Sequence, residues 1–185
     1  MSGEVSLGAG LDFGADHFAL FGLPRDFSIN AAALDSSYRE LQAKVHPDRF
    51  SQLPEAEKRV SMQWSTRANE AYQTLKKPLS RAIYLLELAG RDVQLEHNTA
   101  MPPAFLIEQM ELREAVADAR DGLDTDTLDG LRGSLLKQIK TQYADLELCF
   151  KAGGDLAVAA GLVRQLMFQE KLLNEIEDAL EAIDV

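Results

Sequence analysis

The chain has 185 residues, 46% of them hydrophobic and 26% charged, which excludes wholesale disorder and collagen-like architecture and leaves room for one large or two small domains. Thirty acidic against nineteen basic side chains give a net charge of -11, which argues against phosphate-backbone binding by the molecule as a whole. One cysteine, Cys149, can neither close an intramolecular disulfide nor build a thiolate cage, so no metal or other cofactor is expected and a reducing compartment is the expected home.

Residues 1–15 carry Gly3, Gly8, Gly10 and Gly14 and no Lys or Arg, so they read as a flexible tail without an export signal. No apolar run in the chain approaches the ~18 uncharged residues of a spanning helix, and a cytoplasmic location is expected. The segment 16–23 predicts a helix of about two turns, N-capped by Asp16 and stopped by Gly22 and Pro24. From Asn30, the positions Leu34, Tyr38, Leu41 and Val45 repeat as one face of a helix that must end at His46, because Pro47 disfavours helical backbone before it. A second helix, about 55–76, follows Pro54 and carries Val60, Trp64, Ala68, Ala71 and Leu75 along one stripe. It is expected to pack antiparallel to the first.

Pro78 punctuates the chain and a short helix, 81–90, ends on a glycine. Residues 89–102 have no periodicity and run into Pro102 and Pro103, so they read as a linker. Three longer helices follow, at about 103–120, 125–151 and 155–183, separated by short breaks that favour an up-down-up bundle. In the last, Leu162, Leu166, Leu173, Ile176 and Leu180 read as the core stripe. No segment alternates as a strand would. The expected fold is all-α, with a domain over 16–88 and a three-helix domain over 103–185.

The sharpest local feature is His46-Pro47-Asp48, between the antiparallel helices. As a bare tripeptide it would occur by chance in about 2% of chains this long at roughly 5% usage per residue. Its context is specific: YRELQAKV at 38–45 ahead of it and ANEAYQTLKKP at 68–78 behind. Together these resemble the J-domain of DnaJ-type co-chaperones over residues 16 to about 80. The resemblance implies that His46, Pro47 and Asp48 dock on a DnaK-type ATPase and stimulate its ATP hydrolysis. It also makes Arg39, Lys44 and Arg49 the cations that steer onto an acidic surface of that partner, although Glu40 lies among them. Physically, Pro47 limits the loop's freedom before binding, and Asp48 can accept a charge-assisted bond from a partner arginine. Two other readings stand beside this one. His46 and Asp48 could be loop-capping groups only, or a catalytic pair, for which no nucleophile motif, phosphate loop or metal-ligand spacing is at hand.

On the helix at 103–120, Phe105, Gln109, Leu112, Val116 and Ala119 share one side, while Leu106, Ile107 and Met110 fall elsewhere among Glu111, Glu114 and Asp118. A three-helix bundle has no evident use for this second apolar group, which reads as a protein-binding patch with a charged rim. The alternative is that it widens the core stripe or covers the short helix at 81–90. In the last helix Met167 and Phe168 likewise fall off the stripe. The strings KKPLSRAIYLLEL (76–88), PAFLIEQMELREAV (103–116) and VRQLMFQEKL (163–172) resemble the C-terminal region of the HscB family, the J-type co-chaperones of bacterial iron-sulfur cluster assembly. That resemblance implies binding of an IscU-type scaffold protein through Leu106, Ile107, Met110, Glu111, Glu114 and Phe168, and its delivery to an HscA-type chaperone. Ala117 and Asp118 depart from the family pattern. Eukaryotic relatives carry a cysteine-rich segment ahead of the J-domain, and its absence favours the bacterial form. The protein is expected to be an adaptor rather than an enzyme, and a J-domain protein serving a different client is the alternative.

The charge divides along the same boundary. Residues 16–77 hold nine basic and eight acidic groups, a net of +1, whereas residues 78–185 hold ten and twenty, a net of -10.

Overall fold

The computed structural model describes residues 12–46, 48, 54–91, 101–151 and 153–183. Among them lie seven helices and no strand: α1 (His17–Leu20), α2 (Ala31–Val45), α3 (Glu55–Lys76), α4 (Pro78–Leu88), α5 (Pro103–Asp121), α6 (Thr125–Phe150) and α7 (Leu156–Ile183). They separate into two compact units, one running to Leu85 and the other from Leu86. No helix among the described residues is long and apolar enough to cross a membrane.

In the first unit α2 and α3 pack against each other and α1 packs on α3. The core joins Phe18 and Phe21 to Leu34, Leu41 and Val45 of α2 and to Trp64, Ala68, Ala71 and Leu75 of α3. The small residues Ala68 and Ala71 let α2 and α3 approach closely. Asn30 caps α2, its side-chain oxygen accepting from the Ala33 amide at 3.1 Å. The first helix is shorter than its sequence pattern: only His17–Leu20 is helical, capped by Asp16, and Gly22 then takes the left-handed conformation at φ +65°. Val60 is only partly buried, and Ser61 occupies the buried position beside it.

The tail also ends earlier than expected. Phe13 packs on Trp64 with ring centroids 3.8 Å apart and the rings tilted by 32°, and the Arg67 guanidinium donates to the Ala15 carbonyl at 2.6 Å. Residues 1–11 lie outside the described residues, as do 92–100 of the expected linker. Pro78 opens α4 rather than merely ending α3, since a first-turn proline sacrifices no helical hydrogen bond. It forces Lys77 into extended backbone, at φ -88° and ψ 122°. At the other end Gly90, at φ +68°, closes α4 as the pattern predicts, and the Arg91 amide bonds back to the Leu86 carbonyl at 2.8 Å.

His17 stacks on Tyr84 of α4 at 4.3 Å, and its backbone N–H donates to the Tyr84 hydroxyl at 3.1 Å. Desolvation by burial, and then the Arg67 charge, push the imidazole pKa down, against opposing pulls from Asp16 and Glu70. A histidine whose folded-state pKa lies below its unfolded value of about 6.5 supplies stability above that value and loses it as pH falls through the folded pKa. Acidification below neutrality is therefore expected to weaken this unit, and His17→Phe, which keeps the ring stack, is expected to flatten that part of the dependence. The fluorescence of Trp64, the chain's one tryptophan, reports the unfolding midpoint at each pH. Equal slopes in both proteins would contradict the assignment.

The second unit is a three-helix bundle, with α6 and α7 in the most extensive contact and α5 packed on both. Phe105, Gln109, Val116 and Ala119 of α5 are buried, and Leu112 is half-buried at the edge of the stripe. The buried stripe of α7 differs from the leucine pattern: Ala159, Val163, Leu166, Gln169, Leu172, Ile176 and Ala179 face inward. Of the expected core residues only Leu166 and Ile176 are fully buried, while Leu162, Leu173 and Leu180 are half-buried. The covered arc of a helix is set by where its neighbours lie, so α5 and α6 cover the line through Ala159, Val163, Leu166, Leu172 and Ile176 and leave Leu162, Leu173 and Leu180 at its edges. Between helices, Arg113 pairs with Glu175 at 3.2 Å, Gln138 donates to Glu108 at 3.1 Å, and the Tyr143 hydroxyl donates to Glu170.

Candidate functional site

The loop site begins where α2 ends. His46 is its C-cap, at φ -60° and ψ 128°, the extended conformation that a following proline demands. The Asp48 amide donates to His46 Nδ1 at 3.3 Å. With Nδ1 accepting, the ring proton of the neutral imidazole resides on Nε2, which is left to donate outward. The His46 side chain is half-exposed, and that of Asp48 is 91% exposed with a carboxylate oxygen 3.7 Å from Nδ1. An acceptor and a donor are thus offered side by side on exposed residues. Pro47 and Arg49 lie outside the described residues.

The two described cations, Arg39 and Lys44, are both exposed on α2. Five residues apart, they stand about 140° from each other around the helix, so they flank the exposed face rather than stack on it. Lys44 also sits in the last turn, where a cation favours the helix dipole. Glu40 accepts from the Ser36 hydroxyl at 3.3 Å.

What holds the two helices in register beneath this loop is a polar ladder that the apolar periodicity did not reveal. Tyr38 and Gln42 of α2 both donate to Asn69 Oδ1 of α3 at 2.6 Å, and Ser65 donates to Gln42 Oε1 at 3.2 Å. One turn further on, Tyr72 donates to Asp35 at 2.7 Å and stacks on Tyr38 at 4.1 Å. The spacing of Tyr38 to Gln42 and of Ser65, Asn69 and Tyr72 is helical, and that is the signal by which the ladder could have been found.

The second site lies on α5 and α7. Met110 is 70% exposed, Ile107 56%, Phe168 40% and Leu106 37%, so these side chains do not widen the core stripe of the bundle. Leu106 and Met110 are one turn apart, and Ile107, Met110, Glu111 and Glu114 form a continuous ridge. Glu111, Glu114 and Asp118 are exposed along it, and Ala117 is half-buried. Phe168 of α7 joins α5 through an edge-on contact with Phe105, ring centroids 6.3 Å apart at 87°. Phe168 nevertheless remains exposed. Met167 is half-buried. Beneath the ridge, Gln109 and Gln169 are 1% and 3% exposed.

Among the described residues no group of three His, Cys, Asp or Glu side chains is arranged to hold a metal ion. Burial, and then the Asp155 and Asp145 carboxylates, push the Cys149 thiol up, toward the protonated form that a nucleophile or ligand does not use.

Residues 16–84 match the DnaJ domain family, and residues 101–177 match the family described as the HSCB C-terminal oligomerisation domain. A protein of Aromatoleum aromaticum named Co-chaperone protein HscB homolog is 52% identical over 174 residues, covering 94% of this chain and 98% of its own. Its counterpart in Ralstonia nicotianae is 51% identical over 168 residues, 91% of this chain and 96% of its own. Among solved structures, chaperone HscB from Vibrio cholerae superposes with a TM-score of 0.81 at 35% identity, covering 91% of this chain and 99% of that one. The human co-chaperone protein HscB superposes with a TM-score of 0.86 at 31% identity, covering 95% and 86% respectively. Both units are accounted for in the same order, and the chain belongs to the HscB family of J-domain co-chaperones.

Proposed function

We propose that this co-chaperone binds an IscU-type iron-sulfur scaffold protein, delivers it to an HscA-type chaperone of the 70-kDa heat-shock family and stimulates that chaperone's ATPase. Residues 16–88 dock the ATPase through His46, Pro47 and Asp48, with Arg39, Lys44 and Arg49 steering the encounter. Residues 103–185 take the scaffold on Leu106, Ile107, Met110, Glu111, Glu114 and Phe168. The protein works in the cytoplasm and performs no chemistry itself. Covalent linkage of the two sites turns capture of the scaffold by the chaperone into an encounter at raised effective concentration. The near-neutral charge of 16–77 does not repel an acidic chaperone surface.

The observation that carries the reading is the exposed group Leu106, Ile107, Met110 and Phe168, rimmed by Glu111 and Glu114. Apolar side chains clustered in the open with a charged border are a mark of a protein-binding surface. Calorimetric titration of purified IscU-type scaffold into the protein tests it. Saturable one-to-one binding is expected, with a negative heat-capacity change from apolar burial. Absence of binding, with ATPase stimulation retained, would give the chain a different client.

A further inference from the structure

The carbonyl of Val45 is one of the orphan acceptors at the end of α2. Among the described residues, the Asp48 amide, three positions on, is engaged by the His46 ring and not by this carbonyl. Val45 is fully buried, so water does not serve this oxygen cheaply. The hydroxyl of Ser61 on α3 donates to it at 2.6 Å. Ser61 is itself 0% exposed and, among the described residues, is the one buried polar side chain of the first unit. It stands in line with Trp64, Ala68, Ala71 and Leu75, at a place where the stripe would otherwise be apolar.

The Val45 carbonyl and the His46 amide belong to one planar peptide. A bond that fixes the first also fixes the plane from which His46 departs, and the Asp48 amide, donating to Nδ1, holds the ring against that backbone. We infer that Ser61 is a positioning residue for ATPase stimulation: its hydroxyl pins the Val45–His46 peptide and so orients His46 for the chaperone, a role that rests on the docking function proposed above for the loop.

The test compares full-length Ser61→Ala and Ser61→Thr with the parent in an ATPase titration of the HscA-type chaperone, well below the unfolding midpoint of each protein. In Ser61→Ala the concentration giving half-maximal stimulation should rise about fivefold, on the scale of one lost hydrogen bond. Maximal stimulation and helical content should be kept, and the His46 ring resonances should shift. Ser61→Thr, which retains the hydroxyl, should bring the half-maximal concentration back toward the parent value. Should Ser61→Ala lose helical content, Ser61→Cys reads the same quantity, because it keeps the side chain's size and supplies only a weak donor. A curve superimposable on the parent's in the folded donor-deficient variant overturns the inference. His46→Gln run alongside separates the two levels: stimulation retained there overturns the loop reading itself, whereas its loss beside a normal Ser61 response overturns the positioning role alone.

Discussion

His46→Gln is expected to abolish ATPase stimulation while leaving helical content, thermal stability and scaffold binding unchanged. The fold is spared because the side chain is half-exposed and lies beyond the last buried residue of α2, Val45. Function is lost because glutamine replaces a rigid ring, held by the Asp48 amide at 3.3 Å, with a chain of three rotatable bonds. Its amide offers a donor and an acceptor, but their direction is no longer set before the partner arrives, and the ring face is gone. Rotamer-rich side chains immobilised at an interface oppose binding by roughly 0.5–1.5 kcal/mol each, and the misdirected donor adds to that. Steady-state phosphate release from the HscA-type chaperone checks the prediction, and stimulation by the variant at the parent's level would remove His46 from the site.

Simultaneous replacement of Leu106, Ile107 and Phe168 by alanine is expected to weaken scaffold binding by at least about thirtyfold, since a single apolar hot spot commonly carries ~2 kcal/mol and hot spots do not add. The bundle should survive, because all three are exposed in the free protein, with Phe168 giving up its ring contact with Phe105. A small fall in the melting temperature from that ring contact is expected. ATPase stimulation measured without scaffold should not change. Undiminished scaffold affinity with the fold intact would mean that the client sits elsewhere on the molecule.

Most of the architecture was legible because it depends on periodicity and punctuation. The helices read at 103–120, 125–151 and 155–183 are found at Pro103–Asp121, Thr125–Phe150 and Leu156–Ile183, and the Asn30 cap and the His46 terminus follow from single residues. Where the reading departed from the structure, side-chain size or local proline chemistry decided. Leucine is the strongest apolar signal in α7, yet Ala159 and Ala179 share the buried line with Leu166, Leu172 and Ile176 while Leu162, Leu173 and Leu180 stand half-buried, because a wheel weights hydrophobicity and not the room between helices. Pro78 was read as a stop and serves as a start.

The candidate surface on α5 was visible as apolar residues off the main stripe, but their exposure depends on which faces α6 and α7 cover, and that is a tertiary fact. The same limit hid Ser61. Its position, three residues before Trp64, continues the 3-4-3-4 spacing of the buried stripe, but a serine there has no meaning until the Val45 carbonyl is found 2.6 Å away. The ladder of Tyr38, Gln42, Ser65, Asn69 and Tyr72 carries only its helical spacing as a signal, since polar residues on a helix face read as solvated until their partners across the groove are known.

Whether one chain joins a scaffold client to an ATPase is decided by single-turnover ATP hydrolysis on the HscA-type chaperone with scaffold present, titrated with this protein. Scaffold and co-chaperone together are expected to accelerate hydrolysis beyond the product of their separate effects, and either His46→Gln or the triple alanine variant is expected to remove the excess. Separate effects that merely multiply, with both variants behaving as the parent, would contradict that joining role.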